Sequence, residues 1–287
     1  FSVKIGIIAK SDRPDFVSNL KEVIQWLHDH DCQVLLERRV AQEFNLQEVV
    51  GVDRQDLPDS VDVIVVFGGD GTLLSVAKMI QGRSAQILGV NLGSLGFLTE
   101  VVLDELYPAL ELVLKGEYSV ENRQMLRIDV PVQSGPSKTY HAFNDAVISN
   151  QGALARIICV KTFVKGEFIA RFLADGIILS TPTGSTAYSL SAGGPIVYPT
   201  LNATLITPIC PHTLTSRPLV IPAEEDIRVV IDSGQDVVLT LDGQEGVPLR
   251  EKDEIHCTRS EYQIELIRPG GKSFFNILRE KLKWGER

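Results

Sequence analysis

The chain has 287 residues, 44% of them hydrophobic and 23% charged, which excludes wholesale disorder and gives a prior of about two domains. Its 28 basic and 37 acidic side chains leave a net charge of −9, an argument against nonspecific binding to nucleic acid or to anionic membranes. No apolar run approaches the roughly 18 residues that span a bilayer.

Residues 3–9 form an apolar, strand-like run, and Ser11, Asp12 and Pro14 after it are helix-start signals. Phe16, Leu20, Val23, Ile24 and Leu27 then recur at helical spacing. Residues 33–36 read as a second strand, and Val61 with residues 63–67 as a β-branched strand buried on both faces. That strand ends at Gly68-Gly69-Asp70-Gly71, and a helix is expected from Thr72, with Leu73, Leu74, Ala77 and Ile80 on one side. Residues 87–90 make a short strand before Asn91-Leu92-Gly93. A helical stripe of Leu103, Leu106, Leu110, Val113 and Leu114 follows and stops at Gly116. Strand and helix alternate, so residues 1–118 are expected to form a doubly wound α/β domain on a mostly parallel sheet.

Beyond Glu117 the pattern changes to short strands separated by Gly, Pro, Asn and Asp, with candidates at 125–130, 142–148, 157–164, 176–180, 227–231, 237–241 and 264–267. Such a run implies an all-β, sandwich-like second domain over residues 119–269. Phe274, Ile277, Leu278 and Leu282 mark a terminal helix within 270–287, expected to return to the first domain. Cys32, Cys159, Cys210 and Cys257 are scattered without a C-x-x-C pair, which reads as free thiols in a reducing compartment. His256 and Cys257 are adjacent and point to opposite faces of a strand, and His28 and His30 do not face each other on a helix, so no zinc site is expected. The chain starts at Phe1 rather than Met, which suggests trimming, and residues 1–10 hold too short an apolar core for a signal peptide. The chain reads as soluble and cytoplasmic.

The junction Gly68-Gly69-Asp70-Gly71-Thr72 lies where a buried strand meets a helix, the ligand edge of an open α/β sheet. Glycines let backbone N–H groups approach a phosphate, and a helix N-terminus favours negative charge. A tight turn needing positive φ, with Asp70 as helix cap, explains the same residues equally well. A bare phosphate cradle would avoid a carboxylate, so Asp70 points to a second task. That task is accepting a proton from an attacking hydroxyl or holding a divalent cation beside the phosphates. Both belong to phosphoryl transfer. The G-x-x-x-x-G-K-[ST] and H-R-D signatures are absent, and Leu74 stands where a dinucleotide fingerprint needs its third glycine.

Asn91-Leu92-Gly93-Ser94-Leu95-Gly96-Phe97-Leu98 starts at a strand end on the same sheet edge, with Phe97 and Leu98 read as core. Asn144-Asp145 interrupts an apolar strand, where a carboxylate is costly unless a hydroxyl-rich ligand meets it. From Asp175 an apolar strand enters a hydroxyl-rich loop, Thr181-Pro182-Thr183-Gly184-Ser185-Thr186-Ala187-Tyr188-Ser189-Leu190-Ser191, continuing to Gly193-Gly194-Pro195. Hydroxyls and loop amides suit a base and a ribose, and Tyr188 offers a stacking face.

Taken in order, these four segments resemble the NAD kinases over residues 60 to 245. The glycine junction is shared with diacylglycerol and sphingoid lipid kinases and, more loosely, phosphofructokinases; the block after Thr181 is specific. The resemblance implies an α/β domain, a β-rich domain and a nucleotide site between them. It implies phosphorylation of the 2′-hydroxyl of the adenosine ribose of NAD by ATP with a divalent cation, Mg²⁺. By the same resemblance Asp70 is the catalytic base, and Gly68, Gly69, Gly71 and Thr72 form the ATP phosphate loop. NAD would be bound by Asp70, Gly71, Asn144, Asp145, Arg156, Asp175, Thr186, Ala187, Tyr188, Ser189, Leu190, Ser191 and Gln244. For Gln244, in Asp242-Gly243-Gln244, a hairpin turn is an equal explanation. Leu173 replaces a basic residue common in the family, and Arg171 is a candidate substitute. A homodimer or homotetramer, with the site completed by a neighbouring subunit, is also implied. Two alternatives stay open: a lipid kinase using the shared loop, and an NAD-binding sensor without catalysis.

Overall fold

A computed structural model describes residues 3–10, 16–46, 49–93, 95–132, 136–152 and 157–284. The helix-start signals Ser11, Asp12 and Pro14, together with Ser94 and Arg156, lie outside the described residues. The chain divides into two units, 1–122 with 264–287, and 123–263.

In the first unit the strands run in the order Val50–Val52, Gln33–Glu37, Lys4–Ala9, Val63–Gly68 and Gln86–Asn91, every neighbouring pair parallel. Val101–Val102 and the end of Glu254–Arg268, at Leu266, also pair in parallel with Gln86–Asn91. Parallel strands need crossovers, and the crossovers cover both faces. Ile5, Ile7, Val65 and Phe67 pack with Leu20, Val23 and Leu27 of the helix Val17–Asp29 and with Leu106 and Leu110 of the helix Leu106–Lys115. On the opposite face Gly6 lies against Leu57, and Gly89 against Leu73 of the helix Asp70–Ile80. A Cβ at Gly89 would stand 2.8 Å from Leu73 Cδ1; glycine there lets the helix seat closely on the sheet. The helix Leu106–Lys115 ends at Gly116, whose φ of +70° is the left-handed cap. The terminal helix Phe274–Leu282, N-capped by Ser273, buries Ile277 and Leu278.

The second unit carries an antiparallel six-stranded sheet in the order Leu219–Pro222, Ala203–Ile209, Gly176–Ser180, Asp145–Asn150, Val237–Leu241 and Glu245–Leu249. Glu167–Ala174, Ile158–Val164, Ile227–Ser233 and the first part of Glu254–Arg268 form another antiparallel ladder. Ile148, Ile177, Leu179 and Leu239 from the one sheet and Val160, Phe172, Val229 and Ile255 from the other share one core. This is the packing of two sheets face to face.

Sequence pattern alone misplaces one strand. The apolar run 142–148 is two strands, Lys138–Ala142 and Asp145–Asn150. At the break, Phe143 and Asn144 turn their N–H groups to the Asp242 carboxylate. The strands Val50–Val52, Val101–Val102, Glu167–Ala174, Ala203–Ile209, Leu219–Pro222 and Glu245–Leu249 are not among those expected from the sequence.

Candidate functional site

The strand Val63–Gly68 turns at Gly69 into the helix Asp70–Ile80. Gly69 has φ −104° and ψ −174°, and Gly68, Gly69 and Gly71 are not among the positive-φ residues. The left-handed turn is therefore not what places glycine here. A Cβ on Gly68 would stand 2.4 Å from Thr72 Oγ1, which is a packing reason. A Cβ on Gly69 or Gly71 would meet nothing within 4 Å. Two glycines with neither a conformational nor an internal steric requirement leave bare backbone open to a ligand.

Asp70 is the first residue of its helix and does not cap it. Its carboxylate reaches across to the segment after Asn91. Phe97 N donates to Oδ2 at 2.9 Å; Leu98 N and Thr99 N donate to Oδ1 at 3.1 Å each, and Thr99 Oγ1 donates at 3.0 Å. Three successive amides form a concavity suited to an anion, and here the anion is a side chain. Gly96 N donates to Thr99 O at 3.2 Å and closes the segment. Gly96 must be glycine, since a Cβ would lie 2.1 Å from Asp70 Oδ1. Four donors offset the carboxylate charge, which eases the approach of phosphate that an unscreened Asp70 would repel.

A cleft of about 330 Å³ opens onto Gly68, Gly69, Asp70 and Gly96, and Lys10 and Lys281 line it too. Lys281 belongs to the last turn of Phe274–Leu282, with Nζ 5.8 Å from the Phe97 ring centroid. The terminal helix thus brings a cation to the glycine junction. Sequence reasoning missed both lysines because nothing local marks them; they meet the junction only through the parallel sheet order and the return of the terminal helix.

In the second unit Ser180 pairs with Asp145 in register, so the hydroxyl-rich loop starts beside Asn144-Asp145. The two segments are tied by side chains as well as by the ladder. Thr181 Oγ1 donates to Phe143 O at 2.7 Å and accepts from Gly184 N at 3.1 Å. A Cβ on Gly184 would stand 2.2 Å from Asn144 O, so the loop closes over that carbonyl only with glycine. Asp242 anchors the Asn144-Asp145 segment from a separate strand end, its carboxylate accepting from Phe143 N at 2.8 Å, Asn144 N at 2.6 Å and Asp145 N at 3.1 Å. Asp242 and Gly243 have φ of +50° and +66°, and Gln244 N donates to Leu241 O at 2.9 Å. That is the hairpin turn weighed for this segment, and Gln244 is exposed at its end. The Asp-Gly pair signalled the turn but not the anchoring task of Asp242.

Asn144 Oδ1 is buried without a hydrogen-bond partner, the kind of acceptor that a ligand donor completes. Asp145 is 5% exposed; burial, and after it the Asp242 charge, pushes its carboxyl up to about 7. Tyr188 is 47% exposed and opens the short helix Tyr188–Ser191. Ala187 and Leu190 are half-buried and Ser191 is exposed. Thr186 Oγ1 bonds Thr183 O at 3.3 Å, and Ser189 Oγ is buried against Thr207 Oγ1 at 2.9 Å, so that hydroxyl faces inward. A buried Arg123 donates to Thr183 Oγ1 at 3.3 Å beneath the loop.

Asp175 stands apart. It precedes Gly176–Ser180 at the end opposite Ser180, next to Asn150, whose N donates to Asp175 O at 3.4 Å. A strand's length, on the order of 16 Å, separates it from Asn144 in the same chain. Leu173 is exposed, and Arg171 is ion-paired with Asp232 at 2.9 Å.

An open parallel sheet with a bare-glycine, carboxylate-bearing junction in one unit and a β sandwich with a hydroxyl-rich loop in the other define a nucleotide-binding protein built for phosphate chemistry. Residues 5–118 match the ATP-NAD kinase N-terminal domain and residues 143–269 the ATP-NAD kinase C-terminal domain. The chain belongs to the NAD kinase family. It is 48% identical to the NAD kinase of Geotalea daltonii over 285 residues, covering 99% of both chains. Among solved structures it is similar to yeast NADH kinase complexed with NADH, with TM-score 0.89, 30% identity, and coverage of 100% of this chain and 89% of that one. It is also similar to an NAD kinase from Archaeoglobus fulgidus in complex with ATP, with TM-score 0.76, 25% identity, and coverage of 98% and 100%. The match over 143–269 disposes of the lipid-kinase alternative, which accounts for the glycine junction alone.

Proposed function

We propose that the chain acts as an ATP-dependent NAD kinase whose catalytic base is Asp70. It phosphorylates the 2′-hydroxyl of the adenosine ribose of NAD and yields NADP. The observation that supports this role best is Asp70 itself, a carboxylate that lines a cleft and is flanked in sequence by Gly69 and Gly71, which have no internal reason to be glycine.

The donor triphosphate meets the side-chain-free backbone at Gly69 and Gly71 and the start of the helix Asp70–Ile80, and Lys10 and Lys281 add positive charge. Among the described residues no three His, Cys, Asp or Glu side chains gather to hold a metal ion. A divalent cation, when bound with ATP, would supply charge neutralisation at the transferred phosphate. The NAD-binding set is Asn144, Asp145, Thr186, Ala187, Tyr188, Leu190 and Ser191, with Gln244 beside the Asp242 turn. Asn144 Oδ1 has an open acceptor for a hydroxyl or amino donor, and Tyr188 offers its exposed ring for stacking. A proton on Asp145 lets it donate to the ligand as well as accept.

Asp175, remote from Asn144 in its own chain, serves in this reading a neighbouring copy in a homodimer or homotetramer. An exposed edge strand, Leu219–Pro222, with Val220 48% exposed, is a surface of the kind that oligomers cover. The sedimentation coefficient tests this: a monomer at micromolar concentration would contradict it. We place the protein in the cytoplasm because all four cysteines are free thiols. Among the described residues no helix is long and apolar enough to cross a membrane.

The direct test of the activity is incubation with NAD, ATP and Mg²⁺ and a coupled enzyme that responds only to NADP. Tight NAD binding with no NADP formed would support a sensor instead.

A further inference from the structure

The Asp70 carboxylate is held unevenly, and the unevenness has a direction. Among the described residues Oδ1 receives three donors, Leu98 N, Thr99 N and Thr99 Oγ1, and Oδ2 receives one, Phe97 N. A carboxylate oxygen offers about two lone-pair sites, so Oδ1 is saturated and Oδ2 keeps one open. The Thr99 hydroxyl has a fixed sense. Asn91 Nδ2 donates to Thr99 Oγ1 at 2.8 Å, and the amide of Asn91 is itself fixed by Gly93 N donating to its Oδ1 at 2.6 Å. Asn91 Nδ2 can only donate and Asp70 Oδ1 can only accept, so the hydroxyl places its single proton on Asp70 Oδ1. Thr99 is fully buried and Asn91 is 5% exposed, so water does not compete for either group.

We infer that Thr99, oriented by Asn91, is a positioning residue for phosphoryl transfer: together with the Leu98 and Thr99 amides its hydroxyl holds Oδ1 of Asp70 in place and leaves Oδ2 as the atom that takes the acceptor's proton. The inference rests on Asp70 being the base. In the step, the O–H bond of the ribose hydroxyl breaks and its proton forms an O–H bond at Oδ2. The oxygen's electron pair forms the new bond to the γ-phosphorus. The bond from that phosphorus to the β–γ bridging oxygen breaks, and its pair leaves on ADP. Without the Thr99 hydroxyl, Oδ1 keeps its two amides but loses the donor that joins the carboxylate to the Asn91 network, and the carboxylate is freer to rotate.

The test compares Thr99→Val, Thr99→Ser and Asp70→Asn by initial rates of NADP formation and by thermal unfolding. Thr99→Val is expected to lower kcat about tenfold, with KM for NAD and for ATP held to within about twofold. Thr99→Ser, which restores the hydroxyl, is expected to recover most of the lost turnover. A purely structural role predicts the opposite: KM and unfolding temperature change while kcat of the folded fraction does not, and Ser, lacking the methyl, fails to rescue. That result, or a Thr99→Val enzyme with wild-type kcat, overturns the proposal. If Thr99→Val does not fold, Asn91→Ala keeps the hydroxyl but frees its rotation, and is expected to show the same kcat-selective loss at smaller size; an unchanged kcat there overturns the proposal too. Asp70→Asn separates the layers. If it turns over like wild type, the base assignment fails; if it is inactive while Thr99→Val is normal, only the Thr99 assignment fails.

Discussion

Asp70 and Asp242 solve the same local problem in the two units. Each carboxylate accepts three successive backbone amides from a segment far away in sequence, 97–99 for Asp70 and 143–145 for Asp242. Around Asp70 the neighbouring backbone is bare, with Gly69 and Gly71 facing open space, and the carboxylate lines a cleft. Asp242 sits instead in a hairpin turn, and what it holds is Asn144 and Asp145, whose side chains remain for a ligand. The same bonding pattern presents a reactive group in one unit and positions binding groups in the other. Mutations should therefore divide between turnover and affinity.

The largest effect is expected from Asp70→Asn, which should lower kcat by roughly 10²–10⁴-fold with little change in NAD affinity, read by steady-state NADP formation and by NAD titration. Next is Asp242→Ala, which strips three amides of their acceptor at once. It should cost on the order of 3 kcal/mol or more in denaturant unfolding, and Asp242→Asn should raise KM for NAD about tenfold with kcat nearly kept. A glycine pair sharpens the contrast within the first unit. Gly96→Ala collides with Asp70 Oδ1 and should lower both stability and kcat, whereas Gly71→Ala meets open space and should leave the unfolding temperature unchanged while raising KM for ATP. A Gly71→Ala enzyme with normal kinetics would mean that no ligand approaches there.

Lys281→Met is expected to raise KM for ATP several-fold, an effect that shrinks as salt screens the wild-type charge. The smallest effect concerns Asp145. Burial, and after it the Asp242 charge, pushes its folded carboxyl up to about 7 from the usual 3.8, so the native state binds more protons than the unfolded chain between about pH 4 and 7. Stability should therefore fall as pH rises through that window. Asp145→Asn should remove this decline, narrowing the difference in unfolding temperature between pH 5 and pH 8 by a few degrees.

Local chemistry explains what could be read from the chain alone. The doubly wound sheet was legible because β-branched runs such as 63–67 alternate with 3.6-residue stripes, and the glycine junction because its residues are contiguous. The hydroxyl-rich loop was legible for the same reason. Asn91 was legible as a strand-end residue on the edge that carries Asp70, but its bond to Thr99 was not, and neither were Thr99, Lys10 and Lys281, since these meet Asp70 or its cleft through strand order rather than spacing. The break at Phe143-Asn144 was hidden because apolar alternation continues through it; only the distant Asp242 draws those amides out of the ladder. The remoteness of Asp175 from Asn144 was hidden too, because sequence distance does not say that the strand between Gly176 and Ser180 runs away from one toward the other.

The contrast between the two carboxylates is tested most directly by measuring kcat and KM for NAD side by side in Asp70→Asn and Asp242→Asn. The account predicts opposite splits, a collapse of kcat at near-normal KM in the first and a raised KM at near-normal kcat in the second. If both variants lose turnover and affinity together, or if Asp70→Asn keeps its kcat, the division of labour described here is wrong.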